Sequence, residues 1–294
     1  MIKDISIIFI SIFFESLPFL LLGSIISSII ETYVSNEQIA KLIPKNKILG
    51  SIVGVFLGFF IPACDCAVIP VSKRLLKKKV PVNVAISFML ASPIINPVVL
   101  LSTYYAFYKT NPQIFWYRLL LGIVIALIIG IIMGIIFDND VTLNNNDECC
   151  HCHHEKQHSF KNDFLSIIKH TSYDLFEVVK YLMFGALIAS IIQVLLPRDI
   201  MTLFNNNQIL SIIVLMIFAY LISLCSTSDS FVGKSLLSTF SQSSIIAYLL
   251  LGPMIDIKNT FVLLGNYKKS FTFTLIILIF IVVFISSLMV GELL

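Results

Sequence analysis

The chain has 294 residues, 57% of them hydrophobic and 13% charged, with a formal net charge of +3 and a mean hydropathy of +0.95. Soluble domains carry about a quarter charged residues, so a soluble globular protein is excluded, and a small, dispersed positive charge gives no footing for nucleic acid. The medium of this chain is a lipid bilayer. Apolar stretches long enough to cross it, about 20 residues each, fall at residues 5–31, 49–76, 82–108, 115–137, 164–196, 207–233, 243–265 and 271–292. Their continuous apolar character fits helices and not the alternating strands of a barrel. The prediction is an all-α polytopic membrane protein with about eight transmembrane segments, four in each half.

The first segment is interrupted by Glu15 and Pro18 and is followed by no small-residue cleavage site, so it reads as a retained helix and not a signal peptide. The second centres on Pro62-Ala63-Cys64-Asp65-Cys66, with Pro70 a turn further on. The third centres on Ser92-Pro93-Ile94-Ile95-Asn96-Pro97, where two prolines remove donors and collide with preceding carbonyls. Both predict helices broken at the membrane midplane. The densest basic run, Lys73 to Lys79, follows the second segment and marks the cytoplasmic side. With eight full crossings, both ends of the chain and the 138–163 loop share that side, while Lys41, Lys45 and Lys47 fall opposite, against the rule.

These features recur. Phe14-Glu15 with Gly23 returns as Phe176-Glu177 with Gly185, Cys64 with Lys73 as Cys225 with Lys234, and Pro93 with Asn96 as Pro253 with Asp256, at offsets of 162, 161 and 160. The chain therefore divides into membrane repeat one at 1–137, a linker at 138–163 and membrane repeat two at 164–294. Four crossings per repeat make the repeats parallel; a re-entrant segment in each makes them inverted. Both arrangements stay open at the level of sequence.

Interrupted helices at matching places in two halves point to a transport site. Glu15, Asp65, Glu177, Asp229 and Asp256 lie within apolar segments, with Lys180 one turn from Glu177. Each such charge costs about 2.5–3.5 kcal/mol at a helix centre, so they face inward, pair or take up protons. Glu177 and Lys180 neutralising one another, and Asp256 capping a half-helix, are the bland readings. Cys64 and Cys66 are soft ligands suited to copper, zinc or trivalent arsenic, and Cys225 approaches from the other half. Against this stands the ordinary use of cysteine as a small buried filler. Six cysteines make no disulfide framework here, because three lie in apolar segments and three crowd the linker. That linker gathers Cys149, Cys150, His151, Cys152, His153, His154 and His158, which predicts soft-metal binding by a flexible tether rather than a folded zinc finger.

At Glu15-Ser-Leu-Pro18-Phe, Pro62-Ala-Cys64-Asp-Cys66 with Pro70, Ala91-Ser92-Pro93-Ile-Ile-Asn96-Pro97, Ser226-Thr-Ser228-Asp229-Ser-Phe231 and Gly252-Pro253-Met254-Ile-Asp256, the sequence resembles the organoarsenical permease family of predicted permeases over nearly its full length. The resemblance implies an efflux permease of the inner membrane. Its paired cysteines correspond to Cys64 and Cys66, and its Ser-Asp signature to Ser228 and Asp229. The Cys/His-rich linker favours a metal ion over an organoarsenical.

The expectation is a multi-pass permease, not an enzyme, exporting a soft metal ion or trivalent metalloid. Cys64, Asp65, Cys66, Asn96, Cys225, Ser228, Asp229 and Asp256 bind cargo, and Glu15, Glu177 and Lys180 couple protons or charge. No cofactor is required, although a soft ion such as copper, zinc or As(III) fits the thiols. The partners are the small substrate and the bilayer, with homo-oligomerisation open. Two rivals are a channel or uptake permease for a small solute or oxyanion, and a transmembrane thiol-disulfide relay, which the C-x-C spacing of Cys64 and Cys66 disfavours. No nucleotide-binding loop is visible.

Overall fold

The computed structural model describes residues 2–33, 44, 46–61, 64–137, 141–142, 160–195 and 207–293. Twelve helices account for nearly all of them. The first half contains α1 (Ile2–Tyr33), α2 (Lys47–Phe60), α3 (Asp65–Lys77), α4 (Val82–Ile95), α5 (Pro97–Phe107) and α6 (Gln113–Ile136). The second contains α7 (Phe160–Leu195), α8 (Gln208–Ile222), α9 (Ser226–Leu236), α10 (Gln242–Met254), α11 (Ile257–Asn266) and α12 (Lys269–Leu293). The linker ligands Cys149, Cys150, His151, Cys152, His153, His154 and His158, and the side chain of Glu177, lie outside the described residues.

The breaks have local causes. Pro97 at the start of α5 drives Asn96 out of the helical region, to φ −54 and ψ 130, and the Asn96 side chain then caps Val98 N at 3.0 Å. Asp256 is extended and caps α11 through Asn259 N at 2.7 Å. The α8–α9 break turns on Ser223, which is left-handed at φ 56 and ψ 47. Cys64 and Cys225 are the extended residues before α3 and α9.

Glycine contacts give the helix directions. Gly50, Gly54 and Gly58, spaced four apart on one ridge of α2, lie against Asn83–Val84, Val84–Ser87 and Ala91–Ser92 of α4, so α2 and α4 run parallel. From Lys77 the chain turns straight back into α4, so α3 runs antiparallel to it. The turn is a Schellman cap, with Val80 N bonded to Leu75 O at 3.1 Å, Lys79 N to Leu76 O at 2.9 Å and Lys79 left-handed at φ 63. The pair α2–α3 is thus a hairpin that enters and leaves at one face of the molecule. The second half does the same: Ser211 meets Ser244 at 2.9 Å and Phe218 meets Tyr248, making α8 parallel to α10, while α9 returns with Gly233 on Leu249 and Asp229 on Gly252.

The two hairpins enter from opposite faces. The end of α6 meets the start of α12, with Phe137 5.2 Å from Phe271 and Lys268 N bonded to Val141 O, at the face that holds Lys47 and the Lys77–Pro81 turn. At the other face Gln113, Gln208, Ser241 and Gly291 line one cleft. The second half therefore repeats the first with its direction reversed, which makes the repeats inverted. All eight apolar segments are present. Six of them form helices, two broken and four continuous, long and apolar enough to cross a membrane: Lys3–Ile29, Val82–Phe107, Gln113–Ile136, Val178–Leu195, Gln242–Asn266 and Lys269–Glu292. Segments 49–76 and 207–233 instead fold back on themselves, because no helix of 14 or 15 residues reaches across and each is followed by a break.

This corrects the sidedness. Lys47 shares a face with Lys77, Lys78, Lys79, Lys268 and Lys269, so its apparent violation of the positive-inside rule disappears and that face is cytoplasmic. The described flanks of the linker, Phe137 and the start of α7, lie there. Lys3 and Glu292 lie at the opposite face, where eight crossings would not have put them. Lys73 and Arg74 leave the basic run altogether: both are buried, and Lys73 Nζ donates to Asn266 Oδ1 at 2.9 Å. The centre of the molecule is α4 with the start of α5, and α10–α11: 78% and 89% of the residues in their apolar 18-residue stretches are buried, against 28% in α12.

Cysteines introduced as Lys47→Cys and Lys77→Cys are expected to react with a membrane-impermeant maleimide from the same side of the membrane, and Lys109→Cys from the other. Labelling of positions 47 and 77 from opposite sides would make 47–77 a crossing. Gly54→Val drives a side chain into the Val84 carbonyl and is expected to cost about 1–3 kcal/mol, read as a lower melting temperature in detergent.

Candidate functional site

The hairpin tips meet in the middle of the molecule. One small cavity there, about 20 Å³, is lined by Glu15, Ser16 and Phe19 of α1, Cys64, Asp65 and Cys66 of the first tip, Ser223 to Cys225 of the second, and Lys258 of α11. Of the residues expected to bind cargo or couple charge, Glu15, Cys64, Asp65, Cys66 and Cys225 are therefore brought together. The three cysteines carry free thiols, Cys66 buried and the other two half-buried.

Lys258 binds this site together. Its Nζ lies 3.2 Å from Asp65 Oδ2 and 3.0 Å from Asp256 Oδ2, and donates to the Ser223 carbonyl at 3.1 Å. Asn259 Nδ2 adds a hydrogen bond to Asp65 Oδ2 at 3.2 Å. All three charged side chains are buried. The ammonium offsets charges that would otherwise be too costly at this depth, and two helix N-termini, those of α3 and α11, favour the carboxylates. Asp256 thus both caps α11, as the bland reading held, and takes part in the charge cluster. Among the described residues, no group of three or more His, Cys, Asp or Glu stands close enough to hold a metal ion.

The remaining expected residues sit elsewhere. Asn96 caps α5 and does not line the cavity. Ser228 donates to Glu15 Oε1 at 3.3 Å, tying the second hairpin to α1. Lys180 is exposed on α7. Asp229 belongs to a second buried cluster, where Tyr248 donates to its Oδ1 at 3.1 Å and its Oδ2 makes no hydrogen bond. Beside it the wholly buried Arg118 donates to Thr103 Oγ1 and Ser230 Oγ, each at 2.7 Å, and to the Ser226 carbonyl at 3.3 Å. This cluster joins α5, α6, α9 and α10, on the other side of the pseudosymmetric pair.

Sequence reasoning missed Lys258, Asn259, Arg118 and Tyr248. A signal for two of them was present: Lys258 stands two residues after Asp256 inside the segment 243–265, and Arg118 one turn into the segment 115–137. Lys180 is the base that sequence reasoning paired with an intramembrane acid, whereas Lys258 and Arg118 are the bases that the fold sets beside Asp65, Asp256 and Asp229.

An all-α bundle of inverted halves, with paired re-entrant hairpins meeting over a buried charge cluster, is the architecture of a membrane permease. The chain matches the family described as "Predicted permease" over residues 1–292 and belongs to it; it is a multi-pass protein of the cell membrane. It is 41% identical over 283 residues to the UPF0718 protein YcgR of Bacillus subtilis, covering 96% of this chain and 95% of that one. It is 37% identical over 284 residues to a Streptococcus mutans protein named "Putative two-component membrane permease complex subunit", covering 97% of this chain and 94% of that one. No solved structure matches.

Arg118→Ala is expected to lower stability by about 2–4 kcal/mol, since it removes three hydrogen bonds and leaves a cavity; Tyr248→Phe costs about 1 kcal/mol. Thermal unfolding in detergent measures both. Equal small effects would place Arg118 outside the packed interior.

Proposed function

We propose that the protein exports a soft metal ion or a trivalent metalloid, held in transit by Cys64, Cys66 and Cys225 at the hairpin tips. The observation that carries this reading is the single cavity lined by all three thiols, contributed by both inverted halves. Soft sulfur ligands select such cargo. Hairpins that enter from opposite faces and meet halfway supply the two gates of alternating access: opening one exposes the tips to one side while the other stays closed. Asp65 and Asp256 beside Lys258 give the site a net negative charge, which favours cations over an oxyanion. The linker cysteines and histidines serve as a collecting arm for the same ions on the cytoplasmic side. Glu15 on the cavity wall, with Glu177 of the equivalent position, carries the charge coupling. In line with the name of the Streptococcus relative, the working unit includes a second membrane subunit.

Expression in metal-sensitive bacteria challenged with copper, zinc, cadmium, arsenite, antimonite and methylarsenite is expected to raise the tolerated concentration of at least one several-fold. Cys64→Ser with Cys66→Ser abolishes that gain, and removing residues 147–158 reduces it without abolishing it. A double serine variant that protects as well as its parent refutes the thiol mechanism.

A further inference from the structure

The cavity at the hairpin tips is already occupied by positive charge. The Lys258 ammonium touches both carboxylates and a backbone carbonyl, the kinds of oxygen a small cation would need. The space left, about 20 Å³, holds about one water. The thiols line the cavity but are not gathered closely enough with the acids to hold a metal ion. Cargo therefore cannot settle here with Lys258 in place.

Helix geometry alone does not call for a lysine at this position. The first turn of a helix disfavours cations, and the equivalent residue of the first half, two positions beyond the capping Asn96, is Val98. The equivalent of Asn259 is likewise Val99. Of the two broken crossings, the one that faces the thiols carries an ammonium in the first turn of its second helix.

We infer that Lys258 is a tethered cation that pairs with both Asp65 and Asp256 while the site is empty, and that a cationic cargo binds by displacing it. The inference rests on the reading that cargo is held at the hairpin tips. Its four-carbon stem lets the ammonium withdraw by bond rotation alone, and Glu15, exposed on the wall of the same cavity, is an acceptor for it there. Displacement leaves Asp65 and Asp256 to the incoming ion beside Cys64, Cys66 and Cys225. Return of Lys258 expels the ion and restores both ion pairs, so the empty carrier can reorient without stranding unpaired carboxylates in the membrane.

The test is Cd²⁺ titration of the purified full-length protein in detergent. Lys258→Met, which removes the competing charge, is expected to bind Cd²⁺ at least ~10-fold more tightly than the parent, and Lys258→Arg within ~3-fold of it. Because Lys258→Met strands two carboxylates, the comparison is repeated between Asp256→Asn and Lys258→Met/Asp256→Asn, where asparagine keeps the cap. Equal or weaker binding on loss of the lysine in both backgrounds overturns the inference, as does absence of Cd²⁺ binding from all of these proteins. Cys64→Ser/Cys66→Ser reports separately: if Cd²⁺ affinity survives there, the thiol reading falls while the lysine comparison stands.

Discussion

A peptide chain can interrupt its helices inside a bilayer only if protein satisfies every freed backbone group. Four interruptions at one depth make that the constraint on which this structure rests. The answers are specific. Asn96 and Asp256 cap the helices that follow them, Ser92 Oγ donates to the Ile61 carbonyl at 3.3 Å, and at the end of α8 Gln193 takes the Ile222 carbonyl while Lys258 takes that of Ser223. Burial of α4, α10 and most of α11 keeps lipid away from much of this backbone. The same residues that repair the backbone also create the charged centre, so stability and site are one arrangement here.

Symmetry holds in the frame and fails in the chemistry. The tip of the first hairpin packs on α11 and the tip of the second on α5, as inverted halves require. Yet α1 and α7 pack together over the place where α3 meets α11, and among the described residues no such pair covers the place where α5 meets α9. The covered place holds the thiols and the Asp65–Lys258–Asp256 cluster. The other holds Arg118 among hydroxyls. Matching frames thus carry different chemistry in the two halves.

Much of this was legible in the residues. Composition fixed the medium and the helices, prolines and paired offsets located the breaks, and Cys64, Asp65, Cys66, Cys225 and Glu15 do share a cavity. What stayed hidden were facts of direction and partnership. A run such as 49–76 has the length and hydropathy of a crossing, and only the contacts of Gly50, Gly54 and Gly58 along α4 show that it doubles back. Asp229 and Asp256 look equivalent as intramembrane acids, but one faces Arg118 and the other Lys258, and no local pattern pairs residues a hundred positions apart. Lys73 and Arg74 read as a surface charge because neighbouring lysines are exposed, while their own turn of α3 packs inward.

The turns that close the two hairpins carry a further consequence. In the first half the chain reverses through Lys77-Lys78-Lys79-Val80-Pro81, and in the second through Leu237-Ser238-Thr239-Phe240-Ser241. Lys73 and Lys234 upstream are present in both, so the turn at the cytoplasmic face is basic and the turn at the far face is not. A half with an odd number of passes inserts in whichever sense its flanking charge dictates, and two such halves joined end to end need opposite instructions. Three lysines in one loop and none in the other match that need: the charge difference that orients each half lies in a handful of ammonium groups.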